Sequence, residues 1–332
     1  MKLALLLSLL LILLSQLALI HCFQHQQAVK ADGGSTRQPP VYPTFLSNNR
    51  AVCLSGNRAS YNFVKGYGEG LTKWLVFLPG GGWCENFTSC LNYTSGGLSR
   101  SPDPDYSGGM LSSRKLENPD FYNWNRVKIR YCDGSSFTGN SRKFHNGTWL
   151  HFRGAIIFKA AMKELLQQKG MASATQAVLA GESAGGVATM LHCDKFRRLF
   201  PNSTRVKCLS DAGYFFPAKR HNFGSQSRFL SIFQGLIRLH RSIKALPRSC
   251  TQKLNPALCF FAHNVMEYIK TPVFFIVSQY DFIEISWTTG LSKHYYATCV
   301  LAKNCSSQQL KIMQDAGLVG NHARMRSGSM EL

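Results

Sequence analysis

Ser183 stands in Gly181-Glu182-Ser183-Ala184-Gly185-Gly186, directly after the short apolar run Ala177–Ala180 and before an alanine-rich segment. A serine on a tight strand-to-helix turn is lifted clear of the sheet and can act as a nucleophile. Small residues are needed at Gly181 and Gly185, because side chains there would collide. A second small-residue run, Pro79-Gly80-Gly81-Gly82-Trp83, follows the apolar run Trp74–Leu78. Acyl transfer requires fixed backbone N–H donors for a tetrahedral oxyanion, and a glycine-rich loop lets the backbone approach the substrate oxygen. The expected donors are Gly82, Trp83 and Ala184. Ala184 also opens a helix, whose dipole favours negative charge.

A nucleophilic serine needs a base to take its proton and an acid to orient that base. Asp211 follows the strand-like run Val206–Leu209, and Asp281 follows Val273–Val277. In the chain order serine, acid, histidine, the later strand is the usual home of the acid, which favours Asp281 over Asp211. Either carboxylate could instead tie a loop. Only His294 and His322 follow Asp281. His294, in Lys293-His294-Tyr295-Tyr296, reads as a helix-surface or substrate-side residue, and His322 lies in a polar tail; neither fits the role well, so the chain is expected to lack a proper base, with these two the remaining candidates.

These groups can meet only if a sheet carries them. Strands are expected at Trp74–Leu78, Val127–Tyr131, Ala177–Ala180, Val206–Leu209 and Val273–Val277, all short runs rich in β-branched or aromatic residues. Helices are expected at Trp149–Lys169, where apolar residues recur near a 3.6-residue period before Gly170, and at Ala184–Cys193. The alternation predicts an α/β-hydrolase-like, mostly parallel sheet flanked by helices. Residues 1–22 read as a signal peptide, 23–50 as a mobile lead-in, 51–315 as the catalytic domain and 316–332 as an atypical tail.

The start of the chain sets the compartment. The apolar run Leu3–Ile20 follows Lys2 and precedes polar Gln24-His25-Gln26, the pattern of a secretory leader rather than a stably inserted membrane segment. The cut is expected between Cys22 and Ala28. It would leave ten of the 11 cysteines, an even number that suits disulfides on the secretory route. Cys84/Cys90, Cys250/Cys259 and Cys299/Cys305 are spaced to close short loops, and none has the C-x-x-C spacing of structural zinc. No cofactor or metal is expected. Sequons at Asn86, Asn92, Asn146, Asn202 and Asn304 fit the same compartment.

With 38 Lys+Arg against 17 Asp+Glu the net charge is +21, and a low charged fraction of 17% with 22 Phe and 12 Tyr excludes disorder. A strongly basic secreted chain attracts polyanionic polysaccharides or anionic surfaces. No basic helix or nucleic-acid module is present, so nucleic acid is not an expected partner.

Six stretches resemble the plant pectin acetylesterases: residues 78–84 (LPGGGWC), 118–139 (NPDFYNWNRVKIRYCDGSSFTG), 150–154 (LHFRG), 183–186 (SAGG), 191–194 (LHCD) and 206–215 (VKCLSDAGYF). The likeness runs from about residue 41 to about residue 315, and the animal secreted carboxylesterase Notum is a more distant relative. The resemblance implies an α/β-hydrolase fold, secretion to the wall and hydrolysis of acetyl esters on galacturonan. It implies Ser183 as nucleophile, Asp281 as acid, and Gly82, Trp83 and Ala184 as oxyanion donors. It also implies a histidine in a Ser-Cys-x-x-His-Cys-like segment near the C-terminus. No such segment occurs here, so the expectation is that the chain ends before it. Three readings follow: an active esterase on acetylated pectin, an impaired truncated or spliced homologue that only binds pectin, and a secreted Notum-like lipid carboxylesterase.

Overall fold

The five apolar runs expected as strands all join one seven-stranded sheet. The structure, a computed structural model, describes residues 41–95, 108–217, 228–278, 281–289, 299, 304–308 and 310–311. The strands are β1 (Thr44–Phe45), β2 (Ser60–Val64), β3 (Lys73–Leu78), β4 (Asn125–Ile129), β5 (Ser141–His145), β6 (Thr148–Phe152), β7 (Gln176–Glu182), β8 (Arg205–Asp211) and β9 (Val273–Ile276). The large sheet runs β1-β2-β4-β3-β7-β8-β9, and β5 pairs with β6 separately. From β4 to β9 the neighbours are parallel, whereas β1 and β2 add an antiparallel edge. Strands in a parallel sheet are covered on both faces, which is why β7 is buried continuously from Ala177 to Gly181. The sheet is the α/β-hydrolase type that the sequence predicts.

Helices of eight or more residues are α1 (Phe87–Ser95), α2 (Gly154–Gln168), α3 (Ala184–Arg197), α4 (Arg228–Gly235) and α5 (Phe282–Thr289). The helix expected at Trp149–Lys169 starts five residues later than the pattern suggested. Asn146 and Gly147, with φ of 46° and 75°, form a tight turn that folds residues 148–152 back onto β5. The apolar positions Leu150 and Phe152 therefore belong to an alternating strand, not to the helical stripe. Helix α3 overruns its expected end by four residues, to Arg197.

Residues 44–46, within the stretch expected as a lead-in, are built into the sheet and core. Thr44 and Phe45 pair with β2, and Leu46 is fully buried. Buried Glu164 of α2 holds this edge: its carboxylate accepts the Tyr61 hydroxyl at 3.0 Å and the Ser47 N–H and hydroxyl at 3.1 and 3.0 Å. The chain divides into two compact units, of which one is represented here by residues 108–122 and the other by the remaining described chain. In the first, Asn118 Nδ2 donates to the carbonyls of Met110 and Ser112 at 2.8 Å, closing a small turn. No helix among the described residues is long and apolar enough to cross a membrane.

Five disulfides pair ten cysteines: Cys53–Cys132, Cys84–Cys90, Cys193–Cys208, Cys250–Cys259 and Cys299–Cys305. The three short loops are those that spacing suggested. Cys193–Cys208 ties α3 to β8, the strand that follows it in the chain. Its 15-residue loop corresponds to about 3 kcal/mol of lost unfolded-state entropy. The Cys193→Ala/Cys208→Ala protein is expected to lose about that much stability in guanidinium unfolding; an unchanged midpoint would show that this bridge does not constrain the chain.

Candidate active site

Strand register decides which residues come together. Leu78 lies opposite Gly181, Glu182 opposite Asp211, and Asp211 opposite Ile276. The loops after β3, β7, β8 and β9 therefore leave the sheet at the same edge. Ser183 follows β7 directly with φ 52° and ψ −121°, a conformation that costs a side-chain-bearing residue about 1–3 kcal/mol. Its N–H donates to the Asp211 carbonyl at 2.8 Å, and the Ala212 N–H donates to the Ile276 carbonyl at 2.8 Å. The strained turn is thus anchored to the neighbouring strand.

The turn also depends on close backbone approach. A Cβ on Gly181 would stand 2.6 Å from the Leu78 carbonyl oxygen, and one on Gly185 would stand 2.7 Å from that of Pro79. A Cβ on Gly80 would lie 2.9 Å from Ser183 Cβ and 3.5 Å from its Oγ. The glycine loop after β3 passes directly against the serine.

Sequence reasoning did not find the residue that links this loop to the serine helix. Ser136 accepts a hydrogen bond from Trp83 Nε1 at 2.8 Å and donates its hydroxyl to the Ala184 carbonyl at 2.7 Å. Its own N–H donates to the Tyr131 hydroxyl at 3.0 Å, and that hydroxyl donates to the Gly82 carbonyl at 2.7 Å. All three expected oxyanion-donor residues are therefore tied to one buried segment. The segment is shaped by Asp133, whose Oδ2 accepts the Ser135 N–H and hydroxyl at 3.1 and 2.6 Å and the Phe137 N–H at 3.1 Å. Burial lifts the Asp133 carboxyl to about 6 despite these bonds. Asp133-Gly134-Ser135-Ser136, small polar residues just after a strand, was the available signal.

The two acids fall close together. Asp281 precedes α5, and its Oδ1 accepts the Glu284 N–H at 2.9 Å, a helix cap. Asp211 is held above its ordinary value mainly by burial, with the Asp281 charge adding to it. Glu284, also missed at first, is buried and accepts the Phe216 N–H at 3.0 Å. Burial first, and Asp281 second, push its carboxyl up to about 8. The Asp-x-x-Glu spacing ahead of an apolar run was its signal.

His294 and His322 lie outside the described residues. Among the described histidines, His192 is bonded to the Phe137 carbonyl at 2.9 Å and stacked on Phe158, and His240 is bonded to the Cys84 carbonyl at 2.8 Å. Burial drives both imidazoles down to about 3. Neither ring is hydrogen-bonded to Ser183. Cys84, Cys90 and His240 come together with metal-like spacing, yet the two sulfurs are bonded to each other and offer no thiolate.

On its other side Trp83 is walled by rings. Phe215, Phe233, Phe229 and Trp287 stand with centroids 5.2, 5.3, 6.2 and 6.2 Å from it, all edge to face. A strained serine turn, a glycine loop against it and neighbouring acids at one sheet edge are parts that acyl transfer from an ester uses, and a base to take the serine proton is required as well.

The family model described as Pectinacetylesterase matches residues 35–323. Pectin acetylesterases 7 and 11 of Arabidopsis thaliana are 43% and 40% identical over 289 residues, covering 85% of this chain and 73% of each relative. The palmitoleoyl-protein carboxylesterase notum1a of Danio rerio is 32% identical over 252 residues, 71% of this chain and 49% of that protein. A solved structure of the Wnt deacylase Notum from Drosophila aligns with a TM-score of 0.71 at 24% identity, covering 84% of this chain and 80% of that one. At that identity the likeness is one of fold.

Glu284 gives a pH test. Its folded pKa of about 8 lies above the ordinary 4.5, so the folded state binds the extra proton. The stability this gives is complete below about 4.5 and is lost as pH rises through about 8. Glu284→Gln keeps an acceptor for Phe216 and removes the titration. Its melting temperature is expected to fall less than the parent's between pH 5 and 9, and parallel curves would refute the assignment.

Proposed function

The chain belongs to the pectinacetylesterase family, whose named relatives are carboxylic-ester hydrolases, and on that premise we propose that it hydrolyses acetyl esters of pectin. The observation that carries the reading is the strained Ser183 turn lying against the glycine loop. In the proposed reaction Ser183 Oγ attacks the acetyl carbonyl carbon, and the oxyanion is held by the N–H groups of Gly82, Trp83 and Ala184. The bond to the galacturonosyl oxygen breaks, and that oxygen leaves carrying the proton taken from Ser183. Water then attacks the acetyl-serine and releases acetate. Asp281 is assigned the orienting acid, with Asp211 beside it. The base is left unassigned; after Asp281 the sequence offers His294 and His322.

Two observations support acetyl over a long acyl chain. The plant relatives are the more similar in sequence. The rings around Trp83 pack against one another rather than standing apart, with Phe229 4.7 Å from Phe215 and 5.2 Å from Trp287. The net charge of +21 suits a polyanionic substrate. We read the protein as secreted to the cell wall: the leader-like start, the five disulfides and the exposure of all five sequon asparagines agree.

Acetate release from acetylated pectin tests the proposal. Ser183→Ala is expected to lower turnover by about 10⁴–10⁶. Equal rates for the parent and Ser183→Ala would leave only a pectin-binding role. Faster release from a palmitoleoyl ester than from acetylated pectin would favour the lipid reading.

A further inference from the structure

The β5–β6 hairpin presents a face that the Ser183 site does not use. Cross-strand register places Arg142 opposite His151 and Phe144 opposite Trp149, and alternation puts all four on the same side of the two-stranded sheet. The opposite side carries Leu150 and Phe152, which are buried, so this first side is the outward one. Phe144 and Trp149 are 56% and 47% exposed, with ring centroids 5.1 Å apart. Exposed neighbouring aromatic rings of this size cost solvation unless something covers them. The Arg142 guanidinium lies 4.9 Å above the Trp149 ring, which holds it flat on the platform.

The same face gathers positive charge. Arg153 is held below its ordinary value by burial, with Arg50 and Arg142 adding repulsion. His151 is depressed by burial and then by Arg153 and Arg142. Arg153 is therefore near Arg50, Arg142 and His151, and His151 is near Arg142. Among the described residues no carboxylate forms an ion pair with Arg50, Arg142 or Arg153, and the polar contact of the Arg153 side chain is the Asn140 amide oxygen at 3.3 Å. Such a cluster is destabilising for the chain alone and favourable once an anion sits on it.

We propose that this face, formed by Arg50, Arg142, Phe144, Trp149, His151 and Arg153, is a docking surface for a carboxylated polysaccharide, held outside the Ser183 site. Resting on the reading of the chain as a pectin esterase, the occupant is a run of galacturonate residues. The chemistry selects it in two ways. Sugar rings present flat C–H faces that stack on exposed aromatic rings, and cross-strand side chains ~5 Å apart match about one sugar ring. Each uronate also carries a planar carboxylate, which a guanidinium grips with two parallel hydrogen bonds. A neutral polysaccharide would use only the rings, and a simple anion only the arginines.

The test is binding of de-acetylated polygalacturonate, which offers no ester to cleave, measured by calorimetry on the full chain. Trp149→Ala and Arg142→Glu/Arg153→Glu are each expected to weaken binding by about tenfold or more, with melting temperatures matching the parent's. If the double variant fails to fold, Trp149→Ala alone gives the result. Parent-like affinity in the folded variants, or equally tight binding of neutral galactan by the parent, would overturn the proposal. Its failure is separable from that of the esterase reading. Loss of polygalacturonate binding in a protein that releases no acetate would keep the docking surface and remove the enzyme. Acetate release with unaltered binding would do the reverse.

Discussion

The structure turns on the single hydrogen bond and the few close contacts that hold Ser183 at φ 52°. That conformation is unfavourable in isolation by about 1–3 kcal/mol. It persists because the Ser183 N–H is committed to the Asp211 carbonyl and because Gly80, Gly181 and Gly185 let three stretches of backbone meet where side chains would overlap. The cost is local and the compensation is distributed. The sheet on either side of β7 supplies it, with β3 and β8 both paired to it in parallel along their length.

The same edge explains why the polar segment after β4 is buried. Ser136 reaches both Trp83 and Ala184, positions 53 and 48 residues away in the chain. One buried serine hydroxyl thus joins the Trp83 indole of the glycine loop to the Ala184 carbonyl at the start of α3. Asp133 below it folds its own loop by accepting three hydrogen bonds, while Cys53–Cys132 fastens the residue before it. The acids at the other side are arranged differently. Asp281 caps a helix, and Asp211 and Glu284 are held above their ordinary values first by burial and then by the nearby Asp281.

Basic charge is distributed with similar economy. A net +21 spread evenly would only repel itself. On the hairpin Arg142 stands beside two exposed rings, and that placement follows from a two-residue turn at Asn146-Gly147 that the helical reading of Trp149–Lys169 had hidden. The apolar residues at 150 and 152 fit both periods, and the turn chemistry two residues earlier decided between them.

By itself the sequence determined what local sterics and periodicity encode. The turn at Ser183, the glycine loop, the five core strands and the three short disulfide loops were all legible, because each depends on residues within about ten positions of one another. The resemblance to the pectin acetylesterases was legible for the same reason, being carried by contiguous blocks. Only the tertiary structure decided the rest: that Ser136 bridges loop and helix, that Glu284 joins the aspartates, that Cys53 meets Cys132 across 79 residues, and that Arg142, Phe144, Trp149 and His151 share one face of the hairpin. These contacts depend on strand order and register. A one-residue slip would turn each strand over, and no local propensity reports on it.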